Sequence, residues 1–166
     1  MKTHIALIFA AVLAMLPVQA SAQADPPNKV VGTWRMVSAQ IDPQGANTAA
    51  YGPNPHGWLV FTKELTFVEV LTDPRVPKFA SNVRGQGTDA ENRAAMAGSI
   101  GFFGRYTVDQ NGEFTGNKVE GATFPNWVGD VRTRKELQIT VDRDAMTEQF
   151  RRPDGTEIRI VWERVQ

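Results

Sequence analysis

The sequence predicts an all-β fold: an antiparallel barrel of about eight to ten short strands with one short helix. Apolar and polar residues alternate along short segments, and clusters of Gly, Pro, Asn and Asp separate these segments. Aromatic residues recur in most of them. A closed antiparallel sheet of about eight strands leaves an interior just wide enough for side chains or one small ligand.

The N-terminal residues 1–22 predict a signal peptide. The apolar run 5–18 is followed by Ala20 and Ala22, which provide the small residues that signal peptidase requires. The run contains Pro17 and is shorter than the roughly 20 residues needed to span a bilayer. We therefore expect cleavage after Ala22, a periplasmic or secreted product, and no integral membrane segment after cleavage.

The remaining chain is expected to form an extended leader, residues 23–29, and one barrel domain, residues 30–166. A domain of this length buries roughly two-thirds of its unfolded surface, so it needs no disulfide, and the chain has no Cys. The 18 basic and 18 acidic residues of the full chain balance. This balance argues against a nucleic-acid partner or an electrostatic membrane surface. The oligomeric state cannot be predicted from these features.

The first half of the domain predicts three strands around a long loop. Residues 30–40 alternate, with Trp34 and Met36 on one face. Residues 42–55 are rich in Pro and Gly and cannot hold a ladder. Residues 58–62 and 65–71 predict two strands joined by a tight turn.

The second half begins with the one predicted helix, whose start is marked by Thr88 and Glu91 at capping-box spacing. A strand is expected over 99–109, and an Asn-Gly turn follows it. The later strands are expected at 113–120, 131–137 continuing into 138–141, 146–152 and 158–165.

Five segments carry a family resemblance. Gly32-Thr33-Trp34 is similar to the GxW signature of lipocalins. The segments are VGTWRMVS (31–38), YGPNPHGWLVF (51–61), GFFGRYTVD (101–109), FPNWVGD (124–130) and VWERV (161–165). Together they resemble the bacterial lipocalin-like domain family over nearly all of residues 30–165.

The resemblance implies an antiparallel lipocalin-like β-barrel in which Trp34 closes one end and an Arg of a late strand packs against it. Arg164 is the candidate for this Arg, and Arg159 is the alternative. The resemblance carries no common set of enzymatic residues, so it assigns no catalytic residue.

Candidate ligand-binding residues are aromatic and polar side chains expected in or near the barrel interior. They are Trp34, Trp58, Phe102, Tyr106, Glu120, Asn126 and Trp127. For any single aromatic residue, a place in the core is the more common role. Alternation puts Arg105 and Tyr106 on opposite faces, and Tyr106 is favoured as the inward residue because Phe102 shares its face. The loop 124–127 is expected either to plug the barrel or to grip a ligand.

No motif predicts a cofactor or a metal. His56 is the one His left after the predicted cleavage, and a lone His cannot build a His-rich zinc site. The sequence contains no GxSxG, Walker or GxGxxG motif. We therefore expect no cofactor and no bound metal.

Three functions remain open. The preferred hypothesis is an exported protein that binds a small hydrophobic molecule in the barrel interior. The second is a cofactor-independent isomerase or cyclase in which Tyr106, His56 or Glu120 transfers protons. The third is a structural envelope module with a filled core. The sequence does not predict the identity of a ligand or substrate.

Overall fold

The strands form one antiparallel sheet that curls into a nearly closed barrel. The computed structural model describes residues 27–152 and 154–166. The strands are β1 (Gly32–Ile41), β2 (Thr48–Ala49), β3 (His56–Phe61), β4 (Thr66–Thr72), β5 (Ser99–Val108), β6 (Phe114–Ala122), β7 (Val131–Thr133), β8 (Leu137–Asp142), β9 (Ala145–Arg151) and β10 (Glu157–Arg164). The predicted signal peptide and leader residues 23–26 lie outside the described residues.

The order of neighbouring strands is β7-β6-β5-β4-β3-β1-β10-β9-β8, and β2 pairs with β1 alone. All pairs described are antiparallel. The two ends of this order, β7 and β8, contact each other and bring the barrel close to closure. This architecture confirms the predicted antiparallel barrel.

The single described α-helix, α1 (Asp89–Ala97), begins where the sequence predicts it. The Thr88 hydroxyl accepts a hydrogen bond from the Glu91 amide at 3.3 Å, and the Glu91 carboxylate accepts one from the Thr88 amide at 2.7 Å. These reciprocal bonds satisfy amide groups that the first turn leaves unpaired. No described helix has the length and apolar character needed to cross a bilayer.

Two local features differ from the prediction. The short strand β2 lies inside the predicted loop 42–55 and pairs with the end of β1. A turn at 134–136 also lies inside the predicted strand 131–137 and separates β7 from β8. The Glu136 carboxylate accepts hydrogen bonds from the Thr133 amide at 2.9 Å and from its hydroxyl at 2.6 Å. This local capping favours a turn over an extended strand.

The interior is filled by the inward-facing side chains of the alternating strands. Its largest fully buried side chains are Trp34, Trp162, Tyr106, Phe67 and Phe114. Most of them lie toward the end of the barrel where β1 begins. This end is referred to below as the closed end.

Trp34 and Arg164 close that end together. The Trp34 Nε1 donates to the Val30 carbonyl at 2.8 Å, and the Arg164 guanidinium carbon lies 4.0 Å from the centre of the Trp34 ring. Arg164 also donates to the carbonyls of Val31 and Lys29, at 2.5 and 3.1 Å. Arg164 is therefore the Arg that the resemblance implied.

Gly32 is required by this arrangement. Its φ is +141°, and a Cβ built on it would lie 2.5 Å from the Arg164 Nη1 atom. Since the guanidinium is held by two backbone carbonyls, a side chain at Gly32 would displace it. The alternative Arg159 pairs in register with Gln40, away from Trp34.

Candidate functional site

Two glutamates are buried inside the barrel. Glu69 on β4 is 4% exposed and Glu148 on β9 is 3% exposed. Each occupies an inward position, because Glu69 is in phase with buried Phe67 and Leu71, and Glu148 is in phase with buried Met146. Carboxyl groups are almost never fully buried unless they have a partner, so this pair is a candidate functional feature.

The two carboxyls have different surroundings. The Trp162 Nε1 donates to the Glu148 Oε2 at 3.1 Å. Glu69 has no hydrogen-bond or ion-pair partner among residues 27–152 and 154–166. The free energy of burying a carboxylate without a partner is high. Glu69 is therefore the less satisfied member of the pair.

Burial raises the pKa of both carboxyls. For Glu69, the neighbouring charge of Glu148 raises the pKa further, and the positive charge of Arg132 opposes the rise. For Glu148, the Trp162 hydrogen bond and Arg132 both oppose the effect of burial. Two interacting carboxyls titrate as a unit, so the pair retains a proton at a pH at which exposed glutamates are ionised.

Arg132 is a partly buried cation beside the two glutamates. It lies on β7 with its side chain 14% exposed, and its guanidinium carbon lies 4.6 Å from the ring centre of Trp127 and 5.5 Å from that of Phe102. Its ion-pair partner, Asp130, is 3.9 Å away and half-exposed. Stacking on aromatic faces suits the planar guanidinium.

A largely enclosed cavity of about 50 Å³ joins these groups. It lies toward the end of the barrel opposite the closed end. Besides the two glutamates and Arg132, it is lined mainly by apolar and aromatic side chains, including Leu71, Ile100, Phe102, Trp127, Phe150 and Ile158. Typical pockets for small organic ligands occupy roughly 300–1,000 Å³. The cavity as it stands therefore has space for a few waters or a very small group.

Tyr51 also lines the cavity, from the loop after β2. Burial, together with the charge of Glu69, raises the pKa of Tyr51 to about 12, although Arg152 opposes the rise. The Tyr51 hydroxyl is therefore neutral at physiological pH.

The structure brings only part of the sequence-predicted set to this cavity. Phe102 and Trp127 both line it, with their ring centres 5.2 Å apart in an edge-to-face arrangement. Trp127 lies on a 3-10 turn, Pro125–Trp127, that covers this part of the barrel. Their contact with a ligand remains a prediction.

Trp34 and Tyr106 lie in the closed end instead. Tyr106 faces inward as expected and is 1% exposed. Its hydroxyl donates to the Thr62 carbonyl at 2.6 Å and accepts from the Asn28 Nδ2 at 2.8 Å. The Tyr106 hydroxyl therefore joins the first described residues to the turn after β3, a structural role.

The other predicted residues lie on the outside. Trp58 is 50% exposed, and the prediction that it lines the interior is corrected because alternation on β3 turns Leu59 inward. Glu120 is exposed and lies 3.3 Å from Arg105 in an ion pair on the outer face. Asn126 is exposed on the 3-10 turn, away from the buried glutamates.

Residues 31–165 match the lipocalin-like domain family. The chain belongs to the lipocalin-like domain family. A solved structure of a biogenic amine-binding protein is similar to it, with 15% sequence identity over 87% of this chain and 72% of that chain, at a TM-score of 0.39. No curated protein matches the sequence significantly.

Sequence reasoning missed the acidic centre of this lipocalin-like domain. The signal was present, because Glu69 and Glu148 each continue an apolar alternation at an inward position. Asn117 is a further buried polar residue, and its Oδ1 has no hydrogen-bond partner among the described residues. In register it lies between Tyr106 and Arg132. Apart from residues 1–26 and 153, no three His, Asp or Glu side chains cluster as metal ligands would.

A larger groove of about 660 Å³ lies on the outside of the lipocalin-like domain, at the closed end. It is open to solvent, and its walls include Asn28, Lys63, Leu65 and Asp109. Its walls contain no buried charge. The cavity beside Glu69 is therefore the better candidate site.

Proposed function

We propose that this protein is an exported carrier that binds one small, mainly apolar molecule inside the barrel. The observation that carries the proposal is the cavity, in which apolar and aromatic walls surround Glu69, Arg132 and Glu148. Apolar pockets with a few convergent polar groups are the usual form of small-molecule sites. Export rests on the sequence of residues 1–22.

The present size of the cavity sets a condition on the ligand. A molecule of more than a few heavy atoms enters only if side chains at the mouth move. Trp127 is the side chain best placed to move, since it is partly exposed and belongs to a single short turn. We propose that displacement of Trp127 enlarges the site.

Replacing Trp127 with alanine is expected to weaken the binding of an apolar fluorescent probe by about tenfold. Loss of a large aromatic wall removes contacts worth about 1–3 kcal/mol. Titration followed by probe emission measures the affinity, and wild type should bind about one probe per chain. Trp58→Ala on the outer face is the matched control and should bind like wild type. The absence of saturable binding would favour the filled-core envelope module.

The mature protein is expected to begin at Gln23, because Ala20 and Ala22 occupy the positions that signal peptidase requires. The intact mass of the exported form tests this expectation. Recovery of the uncleaved chain in membranes would contradict the proposed export.

An enzyme is the second candidate, and one observation favours it. Two interacting carboxyls with unequal surroundings, such as Glu69 and Glu148, are typical of general acid–base chemistry. This pair is better placed for such chemistry than Tyr106, His56 or Glu120, which lie elsewhere. Turnover that Glu148→Gln abolishes while probe binding persists would establish the enzyme in place of the carrier.

A further inference from the structure

We propose that the cavity recognises a cationic group, the ammonium of a small organic amine, held between Glu69 and Glu148. The inference rests on the proposed function, because it specifies the ligand class of the same site. It is carried by three observations: the balance of charge around the cavity, the aromatic walls, and the carboxyl of Glu69, which has no partner within residues 27–152 and 154–166.

The balance of buried charge favours a cation. The titratable and charged groups that line the cavity are Tyr51, Glu69, Arg132, Glu148 and Arg152. Two buried acids therefore face one partly buried guanidinium, that of Arg132, because Tyr51 is neutral. Arg152 is exposed, so water weakens the effect of its charge on the cavity. With both glutamates ionised, one further positive charge neutralises the interior.

Glu69 supplies a free acceptor for that charge. Glu69 is almost completely buried, it lines the cavity, and it has no hydrogen-bond or ion-pair partner in the described part of the chain. Glu148 already accepts a hydrogen bond from Trp162 at one oxygen, and its other oxygen has no hydrogen-bond partner in the same part of the chain. An ammonium group brings three donors and a positive charge, so it can satisfy both carboxylates at once.

When no amine is bound, a proton on the Glu69–Glu148 pair supplies the positive charge that the ammonium would bring. Burial raises the pKa of both glutamates, so the pair holds a proton that an exposed pair would release. Binding of an ammonium favours the ionised form and expels that proton. Amine binding should therefore release a proton and strengthen as pH rises, until the amine loses its own charge near pH 10.

The walls suit the remainder of such a ligand. Trp127 and Phe102 already hold a cation, the Arg132 guanidinium, against their rings. Leu71, Ile100 and Ile158 provide apolar surface for a short carbon chain. An anionic ligand could pair with Arg132 only beside two carboxyls of its own sign, which disfavours it.

The test uses primary alkylamines of one to six carbons, each with the alcohol and the carboxylate of the same length. Calorimetry at about pH 7 in two buffers of different ionisation enthalpy measures affinity and proton release together. The amines are expected to bind about tenfold or more tightly than the alcohols, because hydrogen bonds to charged groups are the stronger ones. The wild-type protein should release a proton when it binds an amine, but not when it binds an alcohol or a carboxylate.

Glu69→Gln should weaken amine binding by about tenfold or more and leave alcohol binding unchanged. Glu148→Gln should act in the same direction, and Glu120→Gln on the outer face is the matched control. Alcohols or carboxylates that bind as tightly as amines, or amine binding without proton release, would overturn the inference and leave the carrier intact. If no compound of the series bound saturably, the inference would be overturned, and the apolar-probe titration would decide whether the carrier function fails as well.

Discussion

Replacement of Trp34 by alanine is expected to lower the free energy of unfolding by about 3–5 kcal/mol. Trp34 is fully buried, its indole nitrogen donates to the Val30 carbonyl, and its ring supports the Arg164 guanidinium. The substitution removes the buried ring, so the Val30 carbonyl loses a hydrogen-bond donor and the Arg164 guanidinium loses the ring on which it stacks. Since domains of this kind have a total stability of about 5–15 kcal/mol, the loss is a large fraction of the whole.

Trp58→Ala is the matched control for this experiment, because it removes the same side chain from the outer face. We expect it to change the free energy of unfolding by less than about 1 kcal/mol. Urea unfolding followed by far-ultraviolet circular dichroism compares the two without depending on Trp emission. Equal losses from Trp34→Ala and Trp58→Ala would show that the closed end is not the main stabilising feature of the barrel.

The stability of the wild-type barrel is expected to fall between about pH 5 and about pH 8. Burial raises the pKa of Glu69 and Glu148 above the value of about 4.3 that an unfolded Glu has. Between the unfolded and the folded pKa the folded state holds more protons, so each increase in pH favours unfolding. This loss of stability is absent below the pKa that the glutamates have in the unfolded state. It is complete above the pKa that they have in the folded state.

Asp73 and Asp109 affect the pH dependence of stability in the opposite direction. Their pKa values are lowered by hydrogen bonds from Arg75 and Arg134 respectively. Their contribution to stability is lost only as pH falls into the acidic range. The loss of stability above about pH 5 is therefore assigned to the buried pair.

Glu69→Gln should reduce this pH dependence and make the protein more stable than wild type at about pH 8, because it removes a buried carboxyl whose deprotonation favours unfolding. Glu120→Gln, which changes an exposed carboxyl, should retain the wild-type dependence. Denaturant unfolding at a series of pH values measures both. A wild-type stability that is flat or rises over this range would contradict the raised pKa of the buried carboxyl pair.

Much of the fold could be predicted because its signals are local. The Thr88 capping box lies within one turn of chain, and the alternation around Trp34 and Tyr106 identifies their face without knowledge of neighbouring strands. The turn after Thr133 was missed because the hydrogen bonds that Thr133 donates to the Glu136 carboxylate outweigh an extended pattern. The inward orientation of Trp58 was wrong because aromatic content alone does not determine a face.

The candidate site required the tertiary structure. The sequence by itself predicted the barrel class and the helix start, and the family resemblance implied the role of Trp34 and offered Arg164 and Arg159 as its partner. The structure chose Arg164. The sequence did not pair Glu69 with Glu148, which lie on strands separated by β3, β1 and β10 in the sheet. Alternation specifies which side chains point inward, but it contains no information on which of them meet across the interior. Closure of the barrel decides that, since it brings distant strands to face each other around one small, largely enclosed cavity.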